Sequence, residues 1–301
     1  MSAVTTPTTT TGLRVTTHGL VHIYRSEGHE VAALSGVDLE VGAGEMVGLL
    51  GPSGSGKSTL LSLLAGVFRP SAGKIFVGAT ELSSASARDL DDLRGREVSL
   101  MLQGAGRNLL PYLTALENVE FAQAPARRAG ADLPAPVEVL AGVGLAREAQ
   151  RPLSELPPGH LQLAALAVAV AARPGLLLAD EPTSQLEHSA RDLVLERMAT
   201  LNRELGTTVI LVTHDPDVAA FLPRTITIRD GRVGGEGRSG EEFAVVTPDG
   251  FLPLPPHVRQ DLLPGTLVRF HRVEGEDGAA GHYQLLPEEG PHAPGQGGTD
   301  V

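Results

Sequence analysis

The chain contains no cysteine and no tryptophan, and only two of its 301 residues, Lys57 and Lys74, are lysines. Without cysteine there are no disulfides, thiolate metal sites or cysteine nucleophiles, which fits a reducing compartment. Aromatic content is 3%, so the core must be built from Leu, Val and Ala; a hydrophobic share of 42% is enough for a sizeable one. No run approaches the ~20 apolar residues of a bilayer-spanning helix. The longest, Leu161–Ala172, is interrupted by Gln162 and reads as a buried helix. The net charge of −12 excludes a nucleic-acid protein held by a basic face, so no nucleic acid is expected as a partner. Met1–Gly12 is Thr-rich, lacks the charged and apolar regions of a signal peptide, and reads as a disordered leader. These features predict a soluble, cytosolic protein with one large domain and a small one.

Against this background one segment stands out. Residues 51–58 read Gly51-Pro52-Ser53-Gly54-Ser55-Gly56-Lys57-Ser58, an unbroken G-x-x-x-x-G-K-[ST] phosphate loop. It lies between an apolar run, Met46–Leu50, and a helix-like run, Thr59–Ala65, the strand–loop–helix context the motif requires. Gly51, Gly54 and Gly56 let the backbone turn tightly with its N–H groups inward, and the following helix offers its positive end. Lys57 can then reach terminal phosphates, and the Ser58 hydroxyl can take a place on a magnesium ion. The chain is expected to bind a nucleoside triphosphate.

The rest of the pattern is α/β. Val15–Tyr24 and Val31–Val41 read as strands, as do Lys74–Val77 and Val98–Leu102. Ala85–Arg96 is helix-like, and Leu113–Gln150 reads as helices with polar breaks, part of a helical insert over about 104–165. Leu176–Ala179 and Val209–Val212 are continuous apolar runs, as buried parallel strands require. Thr225–Arg232 reads as a hairpin turning at Asp230-Gly231. After Gly234 the composition shifts, placing a domain boundary near Arg238.

The strand Leu176–Ala179 delivers two adjacent acids, Asp180 and Glu181, at its carboxyl end, where α/β sheets place their chemistry. Asp180 suits a magnesium partner, and Glu181 a general base that orients the attacking water. His214 closes the apolar strand that ends at Val212.

With these parts in view, residues 15–235 resemble the ATP-binding subunits of ABC transporters, and within them the lipoprotein-release and macrolide-efflux group. Tyr24 matches the aromatic that stacks on adenine, Gly51–Thr59 the Walker A loop (its last member being Thr59), and Gln103 the Q-loop. Asn108-Leu109-Leu110-Pro111 and Leu113–Val119 match that group's wording. Leu177–Thr183 carries the Walker B segment, and His214 is the switch histidine. The resemblance implies an ATPase that uses ATP and Mg2+, with Ser58, Gln103 and Asp180 around the metal and Glu181 and His214 catalytic. It also implies a membrane permease as partner, a second ATPase subunit, and a place on the inner face of the membrane through that permease. The fold it implies is a P-loop NTPase of the ABC type: a mixed sheet core, an antiparallel β subdomain and a helical insert.

Two departures stand out. The family's LSGGQ signature lies twenty-four positions before the Walker B Asp, which lands here on Leu156-Pro157-Pro158-Gly159-His160. Leu153-Ser154-Glu155 is rejected as the motif because that register demands extra residues in the next helix. In the family the signature caps the γ-phosphate on the partner's Walker A loop through Ser hydroxyl and Gly N–H donors, and proline supplies neither. The helix should survive, because proline is tolerated in a first turn. Leu163 and Val168 stand where arginines are usual, and the D-loop reads Ser184-Gln185-Leu186-Glu187, with Glu for Asp. The Q-loop, Gln103–Asn108, is two residues longer than usual.

An intact catalytic half beside a depleted capping half points to pairing with a different ATPase subunit in preference to a homodimer. The alternatives are a regulatory nucleotide-binding subunit with little hydrolysis and a soluble non-transport ABC protein. The second is disfavoured by the single phosphate loop, the absence of heptads and the acidic charge. Residues 237–286 form a small β-rich module that weakly resembles an AbrB-like swapped hairpin, with a dimerising or regulatory role; Arg259, Arg269 and Arg272 are offset by acids there. Residues 287–301 are expected to be a disordered tail.

Overall fold

Two larger β-sheets and a layer of helices make up the part of the molecule that holds the phosphate loop. The computed structural model describes residues 12–26, 29–238, 241–246, 266–273 and 282–287, with isolated positions between 250 and 262. The smaller sheet is antiparallel, formed by β1 (Val15–Ser26), β2 (His29–Val41), β4 (Ala72–Val77) and β5 (Thr80–Glu81), in the order β2-β1-β4-β5. The larger contains β3 (Met46–Leu50), β6 (Val98–Met101), β7 (Leu176–Asp180), β8 (Thr208–Val212), β9 (Arg224–Arg229), β10 (Arg232–Arg238) and β11 (Glu241–Ala244). Its order is β11-β10-β9-β3-β8-β7-β6; the pairs from β6 to β9 are parallel and the two at the β10 edge are antiparallel. The sheet is therefore mixed, as expected.

Because successive side chains point to opposite faces, β7 feeds two cores. Leu176 and Leu178 pack with α1 (Lys57–Leu64) and the small sheet, while Leu177 and Ala179 pack against the helical layer. That layer comprises α3 (Ala115–Arg128), α4 (Pro136–Gly142), α5 (Pro158–Val170) and α6 (His188–Leu205). The insert between β6 and β7 is thus helical. A further helix, α2 (Ala87–Arg96), precedes β6, and its Ser86–Asp89 capping box explains why it starts where it does.

The LTALENV segment has a plain structural meaning. Thr114 and Glu117 form a capping box at the start of α3. Asn118, buried, receives the Leu110 N–H at 2.7 Å and donates to Leu110 O at 3.2 Å and Thr114 O at 2.9 Å. It staples the turn before α3 to the helix. Asn118→Ala would orphan those backbone groups, and we expect a loss of about 2–3 kcal/mol in a denaturant titration.

The helix read as Leu161–Ala172 spans Pro158–Val170, beginning three residues early because Pro158 takes the first helical position, where its fixed φ suits and its missing N–H costs nothing. Leu153–Glu155 forms a separate 3-10 turn outside it. Asp230 and Gly231, at φ 50° and 72°, make the β9–β10 turn expected of them. The large sheet continues past the boundary expected near Arg238: β11 pairs with β10 from Arg238↔Glu241 to Gly235↔Ala244. Beyond it, β12 (Val268–Val273) and β13 (His282–Pro287) form a two-stranded antiparallel sheet. The leader at 1–11, the tail from 288, the Pro248-Asp249 turn and Arg259 lie outside the described residues.

Candidate functional site

The phosphate loop joins β3 to α1, so its position is set by a strand buried in the middle of the large sheet. Two of its glycines are structural necessities. Gly51 (φ 138°) and Gly56 (φ 99°) adopt left-handed backbone, and a Cβ would collide with the carbonyl oxygens of Ile228 and Ala33 respectively. Gly56 caps α1 without a side-chain bond, so the first N–H groups of that helix carry no side-chain acceptor. The Lys57 ammonium donates to Gly51 O at 2.9 Å, Pro52 O at 2.7 Å and Ser55 Oγ at 3.4 Å. Burial pulls its pKa below the usual lysine range, opposed by the negative charges of Glu181 and Asp180.

β7 and β8 bring the acids and the histidine to the same end of the sheet. Asp180, the last residue of β7, is half-buried, and burial raises its pKa; a Ser58 hydrogen bond and Lys57 oppose the rise, while Glu181 adds to it. Glu181 has φ 46°, a conformation that L-residues other than Asn and Asp rarely hold. It is locked there by its N–H on Val212 O at 3.1 Å and by its carbonyl receiving Ser184 N–H at 3.1 Å. Its carboxylate accepts from Gln103 Nε2 at 2.9 Å and meets His214 Nδ1 at 2.8 Å. Since a carboxylate only accepts, Nδ1 donates in this contact, and a ring protonated there alone leaves Nε2 as an acceptor.

A cleft of about 680 Å³ gathers Tyr24, the phosphate loop, Gln103, Asp180, Glu181 and His214. Tyr24 stands at its rim; its hydroxyl lies 3.1 Å from Thr59 Oγ1, and His22 meets its ring edge-on at 4.8 Å. Leu156–His160 and Ser184–Glu187 do not line this cleft. Pro157 caps α5 with no side-chain bond, and Gly159 is a packing residue: a Cβ there would stand 2.9 Å from the Ala190 methyl on α6. Glu187 caps α6, and Gln185 is left-handed at φ 67°. Sequence reasoning missed Asn108, whose amide closes the long loop after Gln103 by bonding Leu102 N–H and O at 2.8 Å each and Gly104 O at 3.0 Å. Asn108 was visible only as family wording.

A mixed sheet whose central strands are parallel, with a phosphate loop at one strand end and paired acids at another, defines a P-loop nucleoside triphosphatase. Residues 34–184 match the ABC transporter family. A lipoprotein-releasing system ATP-binding protein, LolD 1, of Caulobacter vibrioides is 36% identical, over 75% of this chain and 97% of that protein. A LolD of Anaeromyxobacter dehalogenans is 42% identical over 69% of this chain and 88% of that one. A methionine import ATP-binding protein, MetN, of C. vibrioides is 40% identical over 73% and 65%. A dimeric ATP-binding cassette in a post-hydrolysis state, bound to ADP and phosphate, matches with a TM-score of 0.67 at 32% identity, over 74% of this chain and 98% of that one. The chain belongs to the ABC transporter family, as an ATP-binding subunit with the fold of its ATPases.

Proposed function

We propose that this subunit energises export or extraction from a membrane, with the cleft of Lys57, Asp180, Glu181 and His214 as its hydrolytic half-site. The contact that carries this reading is the Glu181 carboxylate held between Gln103 and His214, at the strand end facing the phosphate loop. In this reading Lys57 exchanges its loop carbonyls for terminal phosphate oxygens. Glu181 accepts a proton from the attacking water through a lone pair that its two partners leave open. With a proton on each ring nitrogen, His214 can donate from Nε2 to the γ-phosphate while Nδ1 stays on Glu181, and Gln103 keeps the carboxylate aimed.

The residues fit a magnesium ion shared with the nucleotide. The Ser58 hydroxyl and the Asp180 carboxylate line the same cleft, and Mg2+ typically takes one or two protein oxygens, the rest being water and phosphate. Among the described residues no cluster of three or more acidic or histidine side chains forms a resident metal cage. Ser58, Asp180 and Gln103 would hold the ion, which neutralises phosphate charge.

Tyr24 is the base platform, held from behind by His22 and tied to the loop by Thr59. Tyr24→Ala is expected to raise KM for ATP about 10-fold, the worth of one stacked base. In steady-state assays kcat should stay within about 2-fold, and competition by inorganic tripolyphosphate, which has no base, should not change.

Export is favoured over import because the LolD relatives are covered over 97% and 88% of their length, against 65% for the MetN relative. No described helix is long and apolar enough to cross a membrane, so a permease would hold the subunit at the cytoplasmic face. Pairing with a second ATPase bearing intact capping donors follows from Pro157 and Pro158. The same prolines favour, as a second reading, a regulatory subunit with little hydrolysis. Co-producing the chain with its permease and a second ATPase separates the two: turnover that appears only in the mixed complex and depends on Glu181 supports pairing. Family-typical turnover by the chain alone overturns it.

A further inference from the structure

Away from the cleft, one arginine gathers three acids. Arg191, its side chain 13% exposed, donates through Nη1 to Asp215 Oδ2 at 3.1 Å and Asp217 Oδ2 at 2.9 Å, and through Nε to Asp192 Oδ1 at 3.0 Å. Asp192 is its neighbour on α6. The other two belong to the start of α7 (Pro216–Phe221). Arg191 sits one turn into α6, its N–H on Glu187 O at 2.9 Å, so it is anchored to the last residue of the Ser184–Glu187 segment.

Asp215 directly follows His214 and is fully engaged. Its N–H donates to Thr213 Oγ1 at 3.1 Å, its Oδ1 accepts the Asp217 N–H at 2.9 Å to cap α7, and its Oδ2 faces Arg191. Burial works against the Asp215 charge, yet the Asp217 N–H and the guanidinium hold its pKa below the usual range. The backbone that carries His214 is thus pinned on its far side by a guanidinium from α6, while the imidazole meets Glu181 on the near side. Removing the guanidinium would leave Asp215 and Asp217 as adjacent, uncompensated charges, free to separate and to carry the His214 backbone with them.

We infer that Arg191 is a positioning residue that ties the Ser184–Glu187 segment to His214 and so sets the imidazole's contact with Glu181. The inference rests on Glu181 and His214 acting in hydrolysis, and it adds a physical link from a segment outside the cleft to a group inside it. A shift at the start of α6 moves the guanidinium, and the histidine backbone follows. Spatial adjacency alone does not establish coupling, so the test is a double-mutant cycle on turnover.

In the full-length chain within its transporter complex, Arg191→Ala should lower kcat roughly 5- to 20-fold with KM for ATP within about 2-fold. Arg191→Lys, which can reach one acid at a time, should fall between. In a His214→Ala background, single-turnover rates should drop no further when Arg191 is also replaced, because its effect runs through the imidazole. Losses that multiply, a changed KM with unchanged kcat, or a kcat loss matching the unfolded fraction measured by thermal melting would each overturn the inference. If Arg191→Ala does not fold, Asp217→Asn removes one exposed arm of the cluster and should cost about 2-fold in kcat; no change would overturn it equally. Glu181→Gln in parallel keeps the two ideas apart. Normal turnover there defeats the hydrolytic reading itself, whereas lost turnover in Glu181→Gln with normal turnover in Arg191→Ala defeats only the link.

Discussion

Glu181→Gln should reduce ATP turnover by about 10²- to 10³-fold in the assembled complex, the range expected when a general base loses its charge. The amide keeps the size of the carboxylate and can still accept from Gln103, so the 2.9 Å contact has a surviving counterpart. It cannot take a proton from water, and it offers His214 Nδ1 a weaker partner than the carboxylate now at 2.8 Å. Nucleotide binding should persist, since the loop glycines and Lys57 are untouched. Phosphate release gives the turnover, and equilibrium dialysis with ATP gives the binding. Undiminished phosphate release would remove Glu181 from the mechanism, and lost binding would mean that the acid serves the architecture of the cleft instead.

Pro157→Ser combined with Pro158→Gly should raise the turnover of the chain alone by at least about 10-fold. The change restores one hydroxyl and two N–H groups at the start of α5, where the prolines occupy the cap and the first helical position. Hydrogen bonds to a charged phosphate are worth about 1.5–3 kcal/mol each, so regaining two strengthens a capped dimer by ~10²- to 10⁴-fold. Part of that gain is lost to the backbone freedom that glycine brings. The helix itself should hold, because serine can cap it and Gly159 stays close-packed on Ala190. Measured by steady-state hydrolysis of the isolated chain, no increase over the parent would show that missing donors do not limit this subunit.

The phosphate loop could be read from sequence because its chemistry is local: three glycines, a lysine and a hydroxyl in one turn. The buried strands β7 and β8 were equally plain, since both faces of each are apolar. Most of what escaped depends on partners far along the chain, the rest on irregular turns. The Glu181–His214 contact joins residues 33 apart, and Arg191 reaches Asp215 across 24. Nothing in an isolated arginine says which acids will surround it. Asn108 and Asn118 satisfy backbone groups of irregular turns, and turn geometry leaves no periodic trace. The boundary near Arg238 was drawn from a shift in composition, whereas the edge of a sheet is decided by which strand still has unpaired N–H and C=O groups to offer. β10 had them, and β11 took them up.

The left-handed backbone at Glu181 sets scaffold against chemistry at one position. Glycine would sit there unstrained, relieving about 1 kcal/mol and making the polypeptide slightly sturdier. The acid therefore costs the scaffold at the backbone, and what it returns lies in the cleft, where Gln103 and His214 meet it. A Glu181→Gly chain would be a relaxed turn with no base: a quieter fold and an idle one.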